Sequence, residues 1–247
     1  MILLKSEEDL KVMLESGKML SGMLERIGKE IKPGVTTADL NRLAEQLFEK
    51  AGVESAFKGY HGYPASICTS VNNVIVHGIP DPSTSLKSGD IIGIDIGIKD
   101  RGFFTDTAET FAVGEVSTQV KKLLDVTKES LRLGIKKALM GNRLTDISWA
   151  IQSHVEKNKF SVVREFVGHG VGISLHEDPE IPNFGKPGNG PELKNGMVLA
   201  IEPMVNAGSW ESEILNDGWT AITKDGSLSA HFEHSVAITK NGPLILT

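Results

Sequence analysis

An internal repeat, in which similar residues recur 107 positions apart, limits the folds open to this chain. The matched stretches are Leu86–Asp95 (LKSGDIIGID) with Leu193–Glu202 (LKNGMVLAIE), Gly34 with Gly141, and Asp39 with Asp146. Self-similarity at one fixed spacing indicates a structural unit that is used twice. The sequence therefore predicts one domain, residues 1–247, made of two related halves at roughly 1–110 and 111–247.

Helices and strands alternate within this repeat. Ser6, followed by Glu7, Glu8 and Asp9, predicts a helix start with a capping box, and Lys32-Pro33-Gly34 is predicted to end that helix. A second helix is expected from Thr36 to Gly52. Apolar, β-branched segments predict strands around 91–98, 162–167, 197–205 and 235–239. The expected fold class is α+β.

Composition restricts the setting in which the chain works. The apolar stretch Met1–Leu4 is too short for a signal peptide or a membrane span, so a cytoplasmic protein without membrane contact is expected. Cys68 is the single cysteine, which excludes an internal disulfide and a site made of cysteines alone. A net charge of -6 argues against a specific nucleic-acid partner, and the lysines between 121 and 137 are interpreted as a solvated helix face.

Two aspartates flank a predicted hairpin turn. Symmetrical pairing about Asp100 and Arg101 would put Asp95 directly opposite Asp106, with Cβ atoms about 4.5 to 5.5 Å apart. Like charges so close destabilise a strand pair unless a cation lies between them. The isoleucines from Ile92 to Ile98 share one face of their strand, and glycines flank Asp95 on the other. One face is therefore predicted to be core and the other to be cleared around a carboxylate.

Three further residues are candidate metal ligands. Glu202 ends the apolar run 197–201, Glu233 precedes the strand at 235–239, and His169 lies between glycines in VGHGVG. Glutamate is almost never fully buried unless it is paired or ligating. Four carboxylates converging in a cleft would hold protons at neutral pH, whereas two divalent ions would balance their charge. Oxygen ligands with one imidazole suit Co, Mn, Fe or Zn.

In their local contexts IDIG, TDT, GHGVG, IEPM and FEHS, these residues resemble the ligand set of the pita-bread metallopeptidases. Other matching stretches are GYHGYP at 59–64, CTSVNNVIVHGIP at 68–80, LHEDP at 175–179 and DGWT at 217–220. The resemblance covers nearly the whole chain and is strongest to the bacterial type I methionine aminopeptidases. It implies a pseudo-twofold antiparallel sheet with helices packed on its outer face.

The resemblance also implies a reaction. In this family a water or hydroxide that bridges two divalent ions attacks the scissile carbonyl, and the initiator methionine is removed from nascent proteins and peptides when the second residue is small. Carried over residue by residue, one ion is held by Asp95, both are bridged by Asp106 and Glu233, and the other is completed by His169 and Glu202. Glu202 is also expected to act as the general base.

A shallow, apolar and partly aromatic pocket is implied for the methionine side chain. The matching positions are Phe57, Tyr60, Tyr63, Cys68, His77, Leu175, His176 and Trp219. Of these, His77 and His176 are expected to hydrogen-bond the scissile peptide and to stabilise oxyanion charge. Leu175 and Phe57 depart from residues found in relatives, which leaves the width of the pocket open. His61, His154, His231 and His234 are interpreted as structural or surface residues.

The family carries a monovalent cation, Na or K, whose ligands here would be Asn72, Val74 and Ser229. A monomer is expected, with transient ribosome association while it acts on nascent chains.

Two alternatives stay open at the sequence level. An aminopeptidase of the same fold that cleaves before proline would usually carry a substantial additional amino-terminal domain, and the site motifs here begin with GYHGYP at residue 59. A pita-bread binding protein without catalysis would be expected to have lost at least one ligand, and all five are present. Cleavage of Met-Ala-Ser against Ala-Pro-Ala separates these alternatives.

Overall fold

A computed structural model describes all 247 residues, and the predicted α+β class is confirmed. The helices are α1 (Glu7–Gly28), α2 (Thr37–Ala51), α3 (Thr118–Ile135) and α4 (Leu144–Lys157). The strands are β1 (Glu54–Ser55), β2 (Cys68–Val71), β3 (Val74–Val76), β4 (Ile91–Asp100), β5 (Phe103–Ala112), β6 (Ser161–Val162), β7 (Gly168–Gly170), β8 (Glu177–Ile181), β9 (Val198–Ile201), β10 (Met204–Asn206), β11 (Ser212–Ile214), β12 (Ala221–Thr223), β13 (Ser229–His231), β14 (Glu233–Thr239) and β15 (Gly242–Ile245). None of the helices combines the length and apolar character that a membrane span requires.

Nine strands form the main antiparallel sheet. Seven of them follow the order β1-β4-β5-β14-β9-β7-β8, while β2 pairs with β4 and β15 pairs with β14. Two smaller sheets have the orders β13-β10-β6 and β11-β12-β3. Helices α1 and α2 pack on the isoleucine face of β4. Helices α3 and α4 pack on apolar residues of β9 and β14.

The repeat in the sequence reappears in the hydrogen bonds. Gly34 N–H donates to Leu86 at 2.8 Å, and Gly141 N–H donates to Leu193 at 2.9 Å. Both glycines have positive φ, +92° and +90°, which only glycine adopts readily. The pairing of β1 with β4 is also repeated 107 residues later by that of β6 with β10. These contacts are the reason to propose two related halves within one catalytic domain, joined through β5, which crosses the boundary drawn at residue 110.

The helix starts agree with the sequence, whereas one helix end does not. Capping boxes formed by Ser6 with Asp9 and by Thr36 with Asp39 open α1 and α2, and left-handed Gly52 closes α2. Helix α1 ends at Gly28 instead of continuing to residues 32–34. After Gly28, Glu30 N–H donates to the Ile27 carbonyl and Ile31 N–H donates to the Gly28 carbonyl. These bonds span three residues instead of four, a tighter turn with which the α-helix ends.

Two of the predicted strands are shorter than expected. Only Ser161–Val162 forms a strand where 162–167 was predicted, because the chain leaves its partner β10 before the site strand β7 begins. The strand predicted at 197–205 is interrupted between Ile201 and Met204. Pro203 lies in this gap, and proline has no N–H to donate to a ladder.

The predicted register of the first hairpin is wrong by two residues. Arg101 and Gly102 form a two-residue turn with φ of +48° and +86°, so Asp100 pairs with Phe103. Positive φ at both central positions is the geometry of a type I′ turn, which places the turn between Arg101 and Gly102. Asp95 therefore pairs with Ala108, and Asp106 pairs with Gly97. The two aspartates are diagonal neighbours on one face, a separation of about 7–8 Å that leaves room for ions between their carboxylates.

Candidate metal centre

Five neighbouring strands of the main sheet carry the five predicted ligands. In sheet order they are Asp95 on β4, Asp106 on β5, Glu233 at the start of β14, Glu202 directly after β9, and His169 on β7. Residues far apart in sequence are therefore brought side by side by strand pairing alone. All five line one cavity of about 590 Å³.

The ligand atoms are close enough to share ions. Atoms of Asp106, His169 and Glu233 lie within 4.8 Å of one another. His169 Nε2 is 3.5 Å from Asp106 Oδ2 and 3.5 Å from Glu202 Oε1. Asp106 is held in place by Ser235, whose hydroxyl donates to Asp106 Oδ1 at 3.0 Å.

Burial makes the carboxylates of this centre poor anions unless cations accompany them. Desolvation, helped by the charges of Asp106 and Glu202, raises the pKa of Asp95 to about 7. Desolvation, with the charge of Asp106, raises the pKa of Glu202 to about 8. The pKa values of Asp106 and Glu233 are raised as well, first by burial. The ion pairs of these carboxylates are with histidine only, so no Lys or Arg supplies the missing positive charge.

His169 presents the correct nitrogen for a metal. Its Nδ1 lies 3.0 Å from the carbonyl oxygen of Gly170, which can only accept, so the proton is on Nδ1 and Nε2 carries the lone pair. The glycines on either side are required by space. A Cβ at Gly168 would lie 2.4 Å from the Ala200 oxygen, and one at Gly170 would lie 2.2 Å from the Asp178 oxygen.

The residues therefore fit a pair of divalent ions. Four carboxylates with raised pKa values and one imidazole with a free lone pair form a hard, oxygen-rich donor set of the kind that first-row divalent metals accept. This donor set points to metal-dependent hydrolysis.

The predicted pocket residues lie in the same cavity. Phe57, Tyr60, Tyr63, Cys68, His77, Leu175, His176 and Trp219 all line it. Tyr63 and Trp219 meet edge to face at 5.1 Å, and Tyr63 donates to the Gly78 carbonyl at 3.0 Å. Gly97 leaves room for Phe57, whose ring would lie 2.9 Å from an added Cβ. Gly93, in contrast, has only ordinary contacts at 3.5 Å, so the expectation that both glycines clear this face holds for Gly97 alone.

Two histidines of the cavity are uncharged at neutral pH. Burial lowers the pKa of His77 to about 4, and burial with the nearby His169 lowers the pKa of His176 to about 3. The His176 ring meets the His169 ring at 4.2 Å, and Tyr60 Oη lies 2.8 Å from His176 Nδ1. A neutral imidazole keeps one N–H, so each ring can donate a hydrogen bond to a substrate.

A buried ion pair braces the loop that carries Leu175 and His176. Lys5 Nζ contacts Glu177 Oε2, and the two side chains are only 3% and 6% exposed. The other oxygen of Glu177 accepts from the backbone N–H groups of Ile173 and Ser174 at 2.6 and 3.0 Å. No local pattern in the sequence marks this contact, because residues 5 and 177 lie far apart along the chain.

The sequence interpretation makes His231 a structural or surface residue, whereas the structure brings it to the metal centre. Its Nε2 lies 3.3 Å from Glu202 Oε2, and its side chain is 4% exposed. Phe166 and Met204 are further cavity residues that motif reasoning missed. The sequence did contain a signal for His231. Residues two positions apart on an extended segment lie on the same face, and His231 is two positions before Glu233.

The three residues expected at a monovalent cation lie close together. Ser229 N–H donates to the Asn72 carbonyl at 2.9 Å. Val74, two residues after Asn72, pairs with Ile222 on β12. Asn72 has a φ of +55°, which turns the chain between β2 and β3.

Comparison with known proteins agrees with the metal centre. The model of metallopeptidase family M24 matches residues 11–240. A methionine aminopeptidase from Clostridium perfringens is 54% identical over 247 residues, covering 100% of this chain and 99% of the relative. The crystal structure of a methionine aminopeptidase from Thermotoga maritima superposes with a TM-score of 0.98 at 47% identity, covering 100% and 99% of the two chains.

A more distant structure shares only the fold. A Xaa-Pro dipeptidase from Bacillus anthracis has a TM-score of 0.78 at 21% identity, and the match covers 99% of this chain but 62% of that one. The fold is therefore the pita-bread fold expected from the sequence. On the extent of the family match, this chain belongs to metallopeptidase family M24 and is a hydrolase.

Proposed function

We propose that this chain is an aminopeptidase that removes the initiator methionine from nascent polypeptides when the second residue is small. The observation that carries the proposal is the meeting of five candidate metal-ligand side chains in one cavity that aromatic and apolar side chains also line. Relatives that match the whole chain and are methionine aminopeptidases support it. They favour this activity over cleavage before proline, because the Xaa-Pro dipeptidase shares the fold alone.

The proposed ligands divide between two divalent ions. Asp95 would hold one ion and His169 with Glu202 the other, with Asp106 and Glu233 shared by both. When bound, two such ions lower the pKa of a water molecule and polarise the scissile carbonyl. The oxygen-rich donor set suits Co, Mn, Fe and Zn alike and does not select one of them.

The chain's own groups handle protons and orientation. Glu202 accepts the proton of the attacking water, because its carboxylate lines the cavity 3.5 Å from His169 Nε2 and so lies beside the ions that would hold that water. His77 and His176 are neutral and donate hydrogen bonds to the scissile peptide, where oxyanion charge develops. Tyr60, 2.8 Å from His176 Nδ1, orients that ring.

The apolar part of the cavity accepts the methionine side chain. Tyr63, Trp219 and Leu175 supply aromatic and aliphatic surface, and Cys68 is a wall of the pocket instead of a nucleophile, because burial raises the pKa of its thiol. Phe57, packed against Gly97, narrows the pocket from one side. A flexible thioether fills such a pocket well.

Hydrolysis of three peptides by the Mn- or Co-loaded protein tests the proposal. Met-Ala-Ser should be cleaved, Met-Leu-Ser should be cleaved far more slowly, and Ala-Pro-Ala should be left intact. Cleavage of Ala-Pro-Ala alone would replace the proposal with the proline-directed alternative, and no cleavage of any peptide would favour a binding protein.

We propose a cytoplasmic monomer that contacts the ribosome transiently, and a Na or K ion near Asn72, Val74 and Ser229. Their support is the nature of the substrate and the proximity of the three residues.

A further inference from the structure

His231 is a buried histidine at the metal centre that the proposed mechanism does not use. It ends β13, is 3% exposed, and its Nε2 has no hydrogen-bond partner. A buried polar nitrogen without a partner is costly to a fold, so its presence here calls for an explanation.

The backbone of His231 is fixed by its neighbours. Its N–H donates to Thr110 Oγ1 at 2.9 Å, and the same hydroxyl donates to the His231 carbonyl at 2.8 Å. Pairing with Met204 on β10 holds the other edge of the strand. The His231 imidazole therefore has a fixed position beside the metal centre.

The two oxygens of Glu202 face two different imidazoles. Oε1 lies 3.5 Å from His169 Nε2, whereas Oε2 lies 3.3 Å from His231 Nε2. The His231 N–H is not aligned on Oε2, and rotation about the last side-chain bond of glutamate is the soft motion by which Oε2 would come into line with it. Glu202 thus has one oxygen on the metal side and one oxygen within reach of a fixed donor.

We propose that His231 is a positioning residue for Glu202, in which Nε2–H donates to Oε2 and leaves Oε1 directed at the ion beside His169. This inference rests on the proposed function of Glu202 as ligand and base. Groups that orient a ligand in this way contribute roughly 10–100-fold to metal affinity or activity.

The test compares His231→Leu with His231→Gln, whose side-chain amide keeps an N–H donor at similar reach. Isothermal titration of the metal-free proteins with MnCl₂ should show one of two binding events weakened roughly 10–100-fold in His231→Leu. His231→Gln should stay within about threefold of wild type. On Met-Ala-Ser, His231→Leu should lower kcat and leave KM nearly unchanged, because Glu202 acts on the attacking water.

Two controls separate positioning from structure. His234→Leu alters a partly buried histidine three residues away that contacts Thr247 and not Glu202, and it should bind Mn²⁺ as wild type does. In a Glu202→Gln background, His231→Leu should add no further loss of Mn²⁺ affinity, since its effect passes through Glu202.

Three results would overturn the inference: unchanged Mn²⁺ affinity in His231→Leu, equal losses in His231→Gln and His231→Leu with unaltered thermal unfolding, or an undiminished effect in the Glu202→Gln background. If wild type itself neither binds Mn²⁺ nor cleaves Met-Ala-Ser, it is the proposed function that fails.

Discussion

At the residue scale, the defining feature of the metal centre is a group of four carboxyl groups with no Lys or Arg partner. Asp106 has two close neighbours in the centre. Its Oδ2 lies 3.5 Å from His169 Nε2, and the Ser235 hydroxyl donates to its Oδ1. Its carboxylate takes part in both the geometry and the charge balance of the site. Neighbouring residues of β5 on the opposite face do neither.

Asp106→Asn is expected to remove metal binding and activity together. The amide keeps the shape of the side chain but loses its charge, so kcat/KM for Met-Ala-Ser should fall on the order of 100-fold or more. Glu109→Gln is the matched control, since Glu109 is on the same strand but pairs with the exposed Lys128. A fully active Asp106→Asn would contradict the two-metal centre.

His176→Ala is expected to act on the chemical step without disturbing the ions. Removing one donor to developing oxyanion charge lowers kcat by roughly 10²–10³-fold. Mn²⁺ titration of the variant should match wild type, and His154→Ala on α4 should change neither quantity. A large loss of Mn²⁺ affinity in His176→Ala would instead identify the residue as a ligand.

At the scale of the elements, close approach of β7 to its neighbours decides where His169 lies. Gly170→Ala places a Cβ 2.2 Å from the Asp178 oxygen and should lower the free energy of unfolding by about 3 kcal/mol or more. Gly93→Ala in the same sheet meets only contacts of 3.5 Å and should be tolerated. Urea unfolding of both variants measures the difference, and equal stability would refute the close approach.

The brace between the chain start and β8 gives a second prediction at this scale. Lys5→Met leaves the Glu177 carboxylate buried without its partner, a change that lowers stability by about 3–5 kcal/mol. Lys5→Met with Glu177→Gln should recover most of that loss, because the glutamine oxygen still accepts from Ile173 and Ser174. Lys29→Met, at an exposed pair on α1, is the control and should unfold like wild type. No recovery in the double variant would contradict the ion-pair explanation.

Local signals explain which elements the sequence could predict. Capping boxes at Ser6 and Thr36 and the glycine at Gly52 mark helix ends through bonds between near neighbours, so the pattern is readable. The sequence prediction centres the hairpin on Asp100 and Arg101, one residue before the observed turn at Arg101 and Gly102, because symmetry between two aspartates outweighed the positive φ that Gly102 allows. Contacts such as Lys5 with Glu177 depend on the packed fold and leave no local pattern.

At the scale of the whole molecule, the repeat explains why the ligands converge. Asp95 and Glu202 occupy equivalent positions, 107 residues apart, at the ends of matching apolar segments. Motifs located all five proposed ligands and the eight pocket residues that share their cavity. His231 escaped, because its importance comes from β13 lying across from Thr110 and β10, a relation that spacing along the chain does not express.

The same burial makes the metal-free protein sensitive to alkali. Asp95 and Glu202 have folded-state pKa values of about 7 and about 8, above their ordinary values of 3.8 and 4.5, so the folded state holds more protons and loses stability as pH rises through this range. His77, His176, His231 and His234, with lowered pKa values, act in the opposite sense, and their effect is largest below their ordinary pKa of 6.5. Thermal unfolding in EDTA should therefore show a lower Tm at pH 8 than at pH 6.5, and excess Mn²⁺ should abolish or reverse the difference, because bound cations replace the protons. A Tm in EDTA that rises between these pH values would mean that the four carboxylates are already neutralised by other groups.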